Sequence, residues 1–130
     1  MKYLCLAYEE ESVLDGLSKD EWTALRRETL EYLDTLRSQG RLLAAEPLKS
    51  ARNAVTLHVR GGRLSVSDGP FAETKEQIGG YFLIEAKDLN DAIQIASRWP
   101  SARLGTIEVR PVEPALGDDS RYPKNGKNGV

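Results

Sequence analysis

Asp68, Glu73, Lys75 and Glu76 place three carboxylates and an ammonium group within nine residues, between a Gly69-Pro70 turn and a Gly79-Gly80 pair. A cation flanked by carboxylates, beside backbone amides freed by a turn, can hold a small polar ligand or carry a proton to and from a substrate. His58 is the only histidine of the chain. It is also the only side chain whose ordinary pKa lies near neutrality. Asp68, Glu73 and His58 are therefore the candidate proton carriers, and Lys75, Glu76, Gly79 and Gly80 the candidate ligand contacts. Each residue also has a purely structural reading. Asp68 can accept hydrogen bonds from amides two residues on, and Thr74-Lys75-Glu76-Gln77 fits a capping box that would start a helical turn at 75–78. Gly79-Gly80 fits a bulge or a close backbone approach, and Phe71 would anchor the run to the body of the protein.

Other chemistries lack their residues. One histidine and one cysteine fall short of a metal site's three or four ligands. Cys5 lies in an apolar run, reads as a small core residue and has no cysteine to pair with. Glu9-Glu10-Glu11 reads as a solvated loop, since consecutive carboxylates there point apart. The glycine pairs lack the strand-to-helix setting of a phosphate cradle, and no nucleophile elbow is present. The net charge of −2, with both signs interspersed, gives no basis for nucleic-acid or anionic-membrane binding. The apolar run at the amino terminus ends after Tyr8, too short for a signal peptide or a membrane span. A cytoplasmic protein without a cofactor is expected.

The elements that position these residues follow from apolar spacing. The 130 residues fit one domain, and 40% hydrophobic with 29% charged residues is an ordinary balance for a soluble globular chain. Residues 2–8 are apolar on both alternations, which predicts a strand buried on two faces. Ser18-Lys19-Asp20-Glu21 is a capping box, followed by a stripe of Trp22, Leu25, Thr29, Leu33 and Leu36 with Gly40 as terminator, so a helix is expected over 19–38. A strand follows over Leu42 to Leu48, with Pro47 marking an edge. Val55, Leu57 and Val59 alternate with Thr56, His58 and Arg60. Gly61-Gly62 makes a two-residue hairpin loop, and Leu64 and Val66 continue on the return strand. Residues 81–84 form a further strand apolar on both alternations. Asp88 caps a second helix that Pro100 ends, and Thr106 to Val112 is the last strand. Residues 113–130 are polar and glycine-rich and are expected to form a mobile tail.

Strand, helix, strand, hairpin, strand, helix, strand is an α+β plan of the ferredoxin-like type: a mainly antiparallel sheet with two helices on one face. The helices cover one face only, yet strands 2–8 and 81–84 are apolar on both. A second copy of the chain is the simplest cover for the other face, so a homodimer is expected.

The run Asp68-Gly69-Pro70-Phe71-Ala72-Glu73-Thr74-Lys75-Glu76-Gln77-Ile78-Gly79-Gly80-Tyr81 closely resembles the motif of the DGPF proteins, a branch of the YCII-related family. The similarity in order and spacing extends over about residues 1–112. It implies a dimeric α+β barrel. Members of the wider family are noted for a histidine on the first helix and an aspartate near the end of the second, proposed as an acid–base pair. Those positions fall here on Thr29 and Trp99, so that pair is absent. DGPF-like proteins also resemble companions of extracytoplasmic-function sigma factors, which implies a regulatory association. The expected function is binding of a small polar molecule in a pocket closed by the 68–80 loop. The alternatives are a cofactor-free lyase or isomerase using the loop carboxylates, or an interaction module.

Overall fold

A computed structural model describes residues 1–114 of the chain. Strand β1 (Lys2–Glu9) runs down the middle of a four-stranded sheet of order β2-β5-β1-β6, with β2 at Leu42–Pro47, β5 at Gln77–Glu85 and β6 at Thr106–Pro111. Every neighbouring pair is antiparallel. Helices α2 (Lys19–Ser38) and α3 (Leu89–Ser97) lie on one face, so the architecture is the expected ferredoxin-like α+β arrangement. Three short elements add to it, helix α1 (Glu11–Asp15) and 3₁₀ turns at Ala51–Asn53 and Pro100–Arg103.

The helix boundaries follow from the sequence. The Ser18 hydroxyl accepts from the Glu21 amide at 3.1 Å while the Glu21 carboxylate accepts from the Ser18 amide at 2.8 Å, a complete capping box. At the other end Gly40 takes φ +70°, and bonds from Gly40 N to Arg37 O and from Arg41 N to Leu36 O close a Schellman turn. Asp88 caps α3 by accepting from the Asp91 amide. Asp91 in turn takes both oxygens to the Arg41 guanidinium, at 2.5 and 2.6 Å, tying α3 to the start of β2.

Tyr3, Cys5, Phe82 and Ile84 alternate onto the helix face and meet Leu36, Ala92, Ile95 and Ala96. Ala92 and Ala96 are small enough to let α3 lie close to the sheet. Trp99 stacks flat on Phe82, with ring centroids 3.7 Å apart and planes 7° from parallel, and meets the Tyr32 ring edge-on. The intervening residues, Leu4, Leu6, Tyr81 and Leu83, point to the opposite face and stay partly exposed. Along β6 that face turns polar, where Tyr8 and Arg110 both bond the Glu108 carboxylate.

The hairpin of β3 (Val55–Arg60) and β4 (Arg63–Asp68) is a separate two-stranded ribbon. Its paired residues include Leu57 with Val66 and Val59 with Leu64.

The loop after it differs from expectation. No helical turn forms at 75–78, because the Thr74 hydroxyl donates to the Glu76 carbonyl instead of accepting from an amide. The Gln77 amide donates to the Ala72 and Thr74 carbonyls, and β5 already begins at Gln77, four residues before the sequence pattern starts it. Phe71 does not anchor the run: it is 80% exposed and touches the His58 ring on the ribbon. Residues 115–130, most of the predicted tail, lie outside the described residues.

Candidate functional site

The sequence pattern predicts Glu9, Glu10 and Glu11 as three solvated carboxylates. The structure separates the three. Glu11 opens α1 and its carboxylate accepts from Ser50 Oγ and the Ala51 amide, which holds its pKa below the usual glutamate range. Glu10 accepts from Ser12. Glu9, last residue of β1, follows Tyr3, Cys5 and Ala7 in alternation and turns toward the helix face. It makes no hydrogen bond or ion pair among the described residues, and desolvation, aided by the Glu11 charge, raises its pKa.

Gly79 creates the seat for that carboxylate. The register between β1 and β5 skips one residue, since Ala7 pairs with Gly80 and Tyr8 with Ile78. Gly79 is thus the extra residue of a bulge. A Cβ placed on it would fall 1.3 Å from Glu9 Oε1, so the side-chain space of residue 79 is filled by the Glu9 carboxyl group. A Cβ on Gly80 would lie 3.0 Å from the Glu46 carbonyl, so the second glycine lets β2 approach. Sequence reading identified both glycines as a bulge or close approach; it gave no sign that the beneficiary was Glu9.

Glu9 borders a cleft of about 220 Å³ between α2 and the sheet. Its walls are mainly apolar: Trp22, Leu25, Leu33, Phe82 and Trp99, with Thr29 as a polar group. The Thr29 hydroxyl donates to the Leu25 carbonyl at 2.8 Å, so its oxygen lone pairs remain able to accept from a guest. Thr29 and Trp99 are the two positions where the resemblance places the family's histidine and aspartate. Both face this cleft. An unpaired carboxylate with a raised pKa, set among aromatic walls, can accept a proton from a bound hydroxyl or acidic C–H and return it.

The predicted site residues are distributed differently. Of the seven, Gly79 and Gly80 line the cleft, and the other five do not. Asp68 is exposed at the end of β4 and makes no side-chain hydrogen bond among the described residues; its turn is closed by Gly69 N to Ala54 O and by the Thr56 hydroxyl to Gly69 O. Glu73 is exposed. His58 is half-buried against the Phe71 ring, 5.9 Å between centroids. Lys75 Nζ reaches Glu10 at 3.8 Å rather than bridging Glu73 and Glu76, and lies along a shallow outer groove with Glu11 and Arg52. Glu76 is half-buried, its carbonyl taken by Thr74. Asp68, Glu73 and His58 do not line the cleft that Glu9 borders. Cys5 is buried, its thiol pushed up to about 12 by desolvation. Among the described residues no three of His, Cys, Asp and Glu cluster as metal ligands, and no helix is long and apolar enough to cross a membrane.

Known proteins share this architecture. The dehydrochlorinase TftG of Burkholderia phenoliruptrix AC1100, which acts on 5-chloro-2-hydroxyhydroquinone and was solved with 2,5-dihydroxybenzoquinone, is similar with a TM-score of 0.50 over 92% of this chain and 100% of its own, at 17% identity. That likeness is one of fold. An uncharacterized protein of Rhizobium meliloti (strain 1021) is 36% identical over 114 residues, 86% of this chain and 92% of the relative. The model of the YCII-related domain matches residues 1–115, and the chain belongs to that family.

Proposed function

We propose that this protein binds a small, planar, hydroxylated or enolisable molecule in the helix-face cleft, with Glu9 as the group that recognises its acidic proton. The observation that carries this reading is the Glu9 carboxyl group itself: unpaired, desolvated and seated in the space that Gly79 leaves free. A desolvated carboxylate without a partner costs stability, and a site that retains one gains from a guest that hydrogen-bonds to it. Flat aromatic walls favour a ring, and an apolar cavity of about 150 Å³ already suffices for benzene. The cleft therefore accommodates one substituted ring.

The same geometry supports catalysis by proton transfer. Glu9 takes a proton from a ring hydroxyl or an activated C–H and delivers it to another position of the same molecule, as a cofactor-free isomerase or lyase requires. The raised pKa favours this reading, since it brings the carboxyl group toward the pH at which it both accepts and donates. The 68–80 run then serves as framework: its last two glycines shape the cleft while its charges stay outside. We assign the chain to the DGPF branch on Asp68-Gly69-Pro70-Phe71 and the Gly79-Gly80 pair.

Thermal shift and tryptophan fluorescence with a panel of hydroxylated aromatic compounds test the proposal, with 2,5-dihydroxybenzoquinone as first probe. Trp22 and Trp99 make the cleft self-reporting. Binding should be lost in Glu9→Gln and Trp99→Leu and kept in a protein carrying Asp68→Asn, Glu73→Gln and Lys75→Ala together. Binding that follows the loop charges instead of Glu9 would return the site to the 68–76 run.

A further inference from the structure

The segment between β1 and α2, residues 10–18, belongs to neither the sheet nor the helix layer. Strand pairing stops at Glu9, opposite Gln77, and the capping box of α2 begins at Ser18. Between them helix α1 has no buried residue and no side-chain cap. The segment satisfies its own backbone: Val13 N and Leu14 N donate to Glu10 O, Gly16 N to Val13 O and Leu17 N to Leu14 O. Among the described residues no backbone group of 10–17 bonds to another element. A unit hydrogen-bonded to itself can move as one piece without breaking backbone bonds elsewhere. Side chains fasten it. Glu11 accepts from Ser50 Oγ at 2.6 Å and from the Ala51 amide at 2.9 Å, both in the connection between β2 and β3. The ion pair of Glu10 with Lys75 is long at 3.8 Å, and its ammonium group is exposed.

What this segment covers is the cleft. Leu14 and Trp22 line both the helix-face cleft and a second hollow of about 230 Å³ outside it, while Glu11, Asp15 and Ser50 line only the outer one. Leu14 is therefore part of the partition between the two, and Glu9 and Gly79 lie on the same boundary. Withdrawing α1 takes Leu14 out of that partition and joins the cleft to the outer hollow. We propose that residues 10–18 form a hinged lid on the cleft, latched by Glu11 to Ser50 and Ala51, which swings outward for a guest to enter or leave. Hinges of such lids are element-terminal residues that absorb a change of backbone angle. Glu10, extended just after the last strand pair, and Gly16, at the end of α1, occupy those places. The lid rests on the reading of this cleft as a binding site, but its tests use no guest.

Acrylamide quenching of Trp99 fluorescence tests access to the cleft. Trp22→Phe leaves Trp99 as the only indole, buried at the cleft wall. In that background Glu11→Ala should raise the open population about tenfold, because it removes two hydrogen bonds to a charged acceptor, and quenching of Trp99 should rise with it. Glu10→Ala, which loses only the long Lys75 pair and a bond to Ser12, should leave quenching unchanged. Nitrogen-15 relaxation dispersion gives a second reading on the wild-type chain. Amides of 10–17 and of Ala51 should exchange together with one rate constant, while β1 and α2 stay quiet. Unchanged Trp99 quenching in Glu11→Ala overturns the proposal. So does a flat dispersion profile over 10–17, or one that spreads through β1 or α2, because a larger unit would then be opening. A cleft that takes no hydroxylated ring sinks the binding proposal and leaves both of these measurements standing.

Discussion

Glu9 joins two facts that were separate in the sequence, a carboxylate at the end of an apolar strand and a glycine pair seventy residues later. Replacing Gly79 by alanine puts a methyl group where Glu9 Oε1 now sits. The carboxylate is the flexible partner, so it swings out toward water and the fold survives. Gly79→Ala should therefore lower the Glu9 pKa toward the ordinary range and weaken ligand binding, with little change in melting temperature. The pH dependence has a definite sign. A carboxyl group whose folded pKa is raised opposes folding when ionised, so Glu9 destabilises the native state above its folded pKa and the penalty is relieved as pH falls. Glu9→Gln should thus raise stability at neutral and alkaline pH, with the gain vanishing in acid. Asp91 behaves in the opposite way. The Lys87 amide and the Arg41 guanidinium hold its pKa below the usual aspartate range. Its stabilisation is present above the ordinary aspartate pKa and lost as pH falls through the depressed value. Thermal melts of Asp91→Asn against wild type should show a deficit at neutral pH that closes in strong acid.

Among the elements, helix ends were fully legible and the loop before β5 was not. The Ser18 capping box and the Gly40 terminator are local chemistry, readable in four or five residues, and both form. Ser18→Ala should cost about 1 kcal/mol in denaturant melts. The capping box at Thr74 has the same pattern but fails, because β1 competes for Gln77 through strand pairing, a partner that sequence spacing cannot show. Gly105 was equally silent. A Cβ there would lie 2.1 Å from the Tyr8 carbonyl, a backbone atom that cannot yield. Gly105→Ala should consequently destabilise by about 1–3 kcal/mol, in contrast to Gly79→Ala. Trp99 also changes meaning between levels. As a sequence position it marks a missing acid; as a side chain it is stacked on Phe82 and walls the cleft. Truncating it to alanine should cost about 3–5 kcal/mol, so its binding role is better examined with Trp99→Leu.

At the scale of the whole molecule, the order of elements and the one-sided helices followed from apolar alternation alone. The uncovered sheet face followed too, because strands 2–8 and 81–84 are apolar on both sides. The ribbon's isolation did not, since alternation tells which side of a strand is apolar and not what it meets. The seat of Glu9 was hidden for a related reason. Charge density drew attention to 68–76, whereas burial, which changes a carboxylate's chemistry, falls on a single glutamate in a run of three.

Carbon-13 NMR of the glutamate side-chain carboxyl signals against pH, with Glu9 assigned by its loss in Glu9→Gln, bears most directly on the candidate site. A Glu9 midpoint above the ordinary glutamate range, returning toward it in Gly79→Ala, is the predicted result. An ordinary midpoint in the wild type, unmoved by Gly79→Ala, would mean that the carboxylate is solvated and that the cleft has no acid–base group.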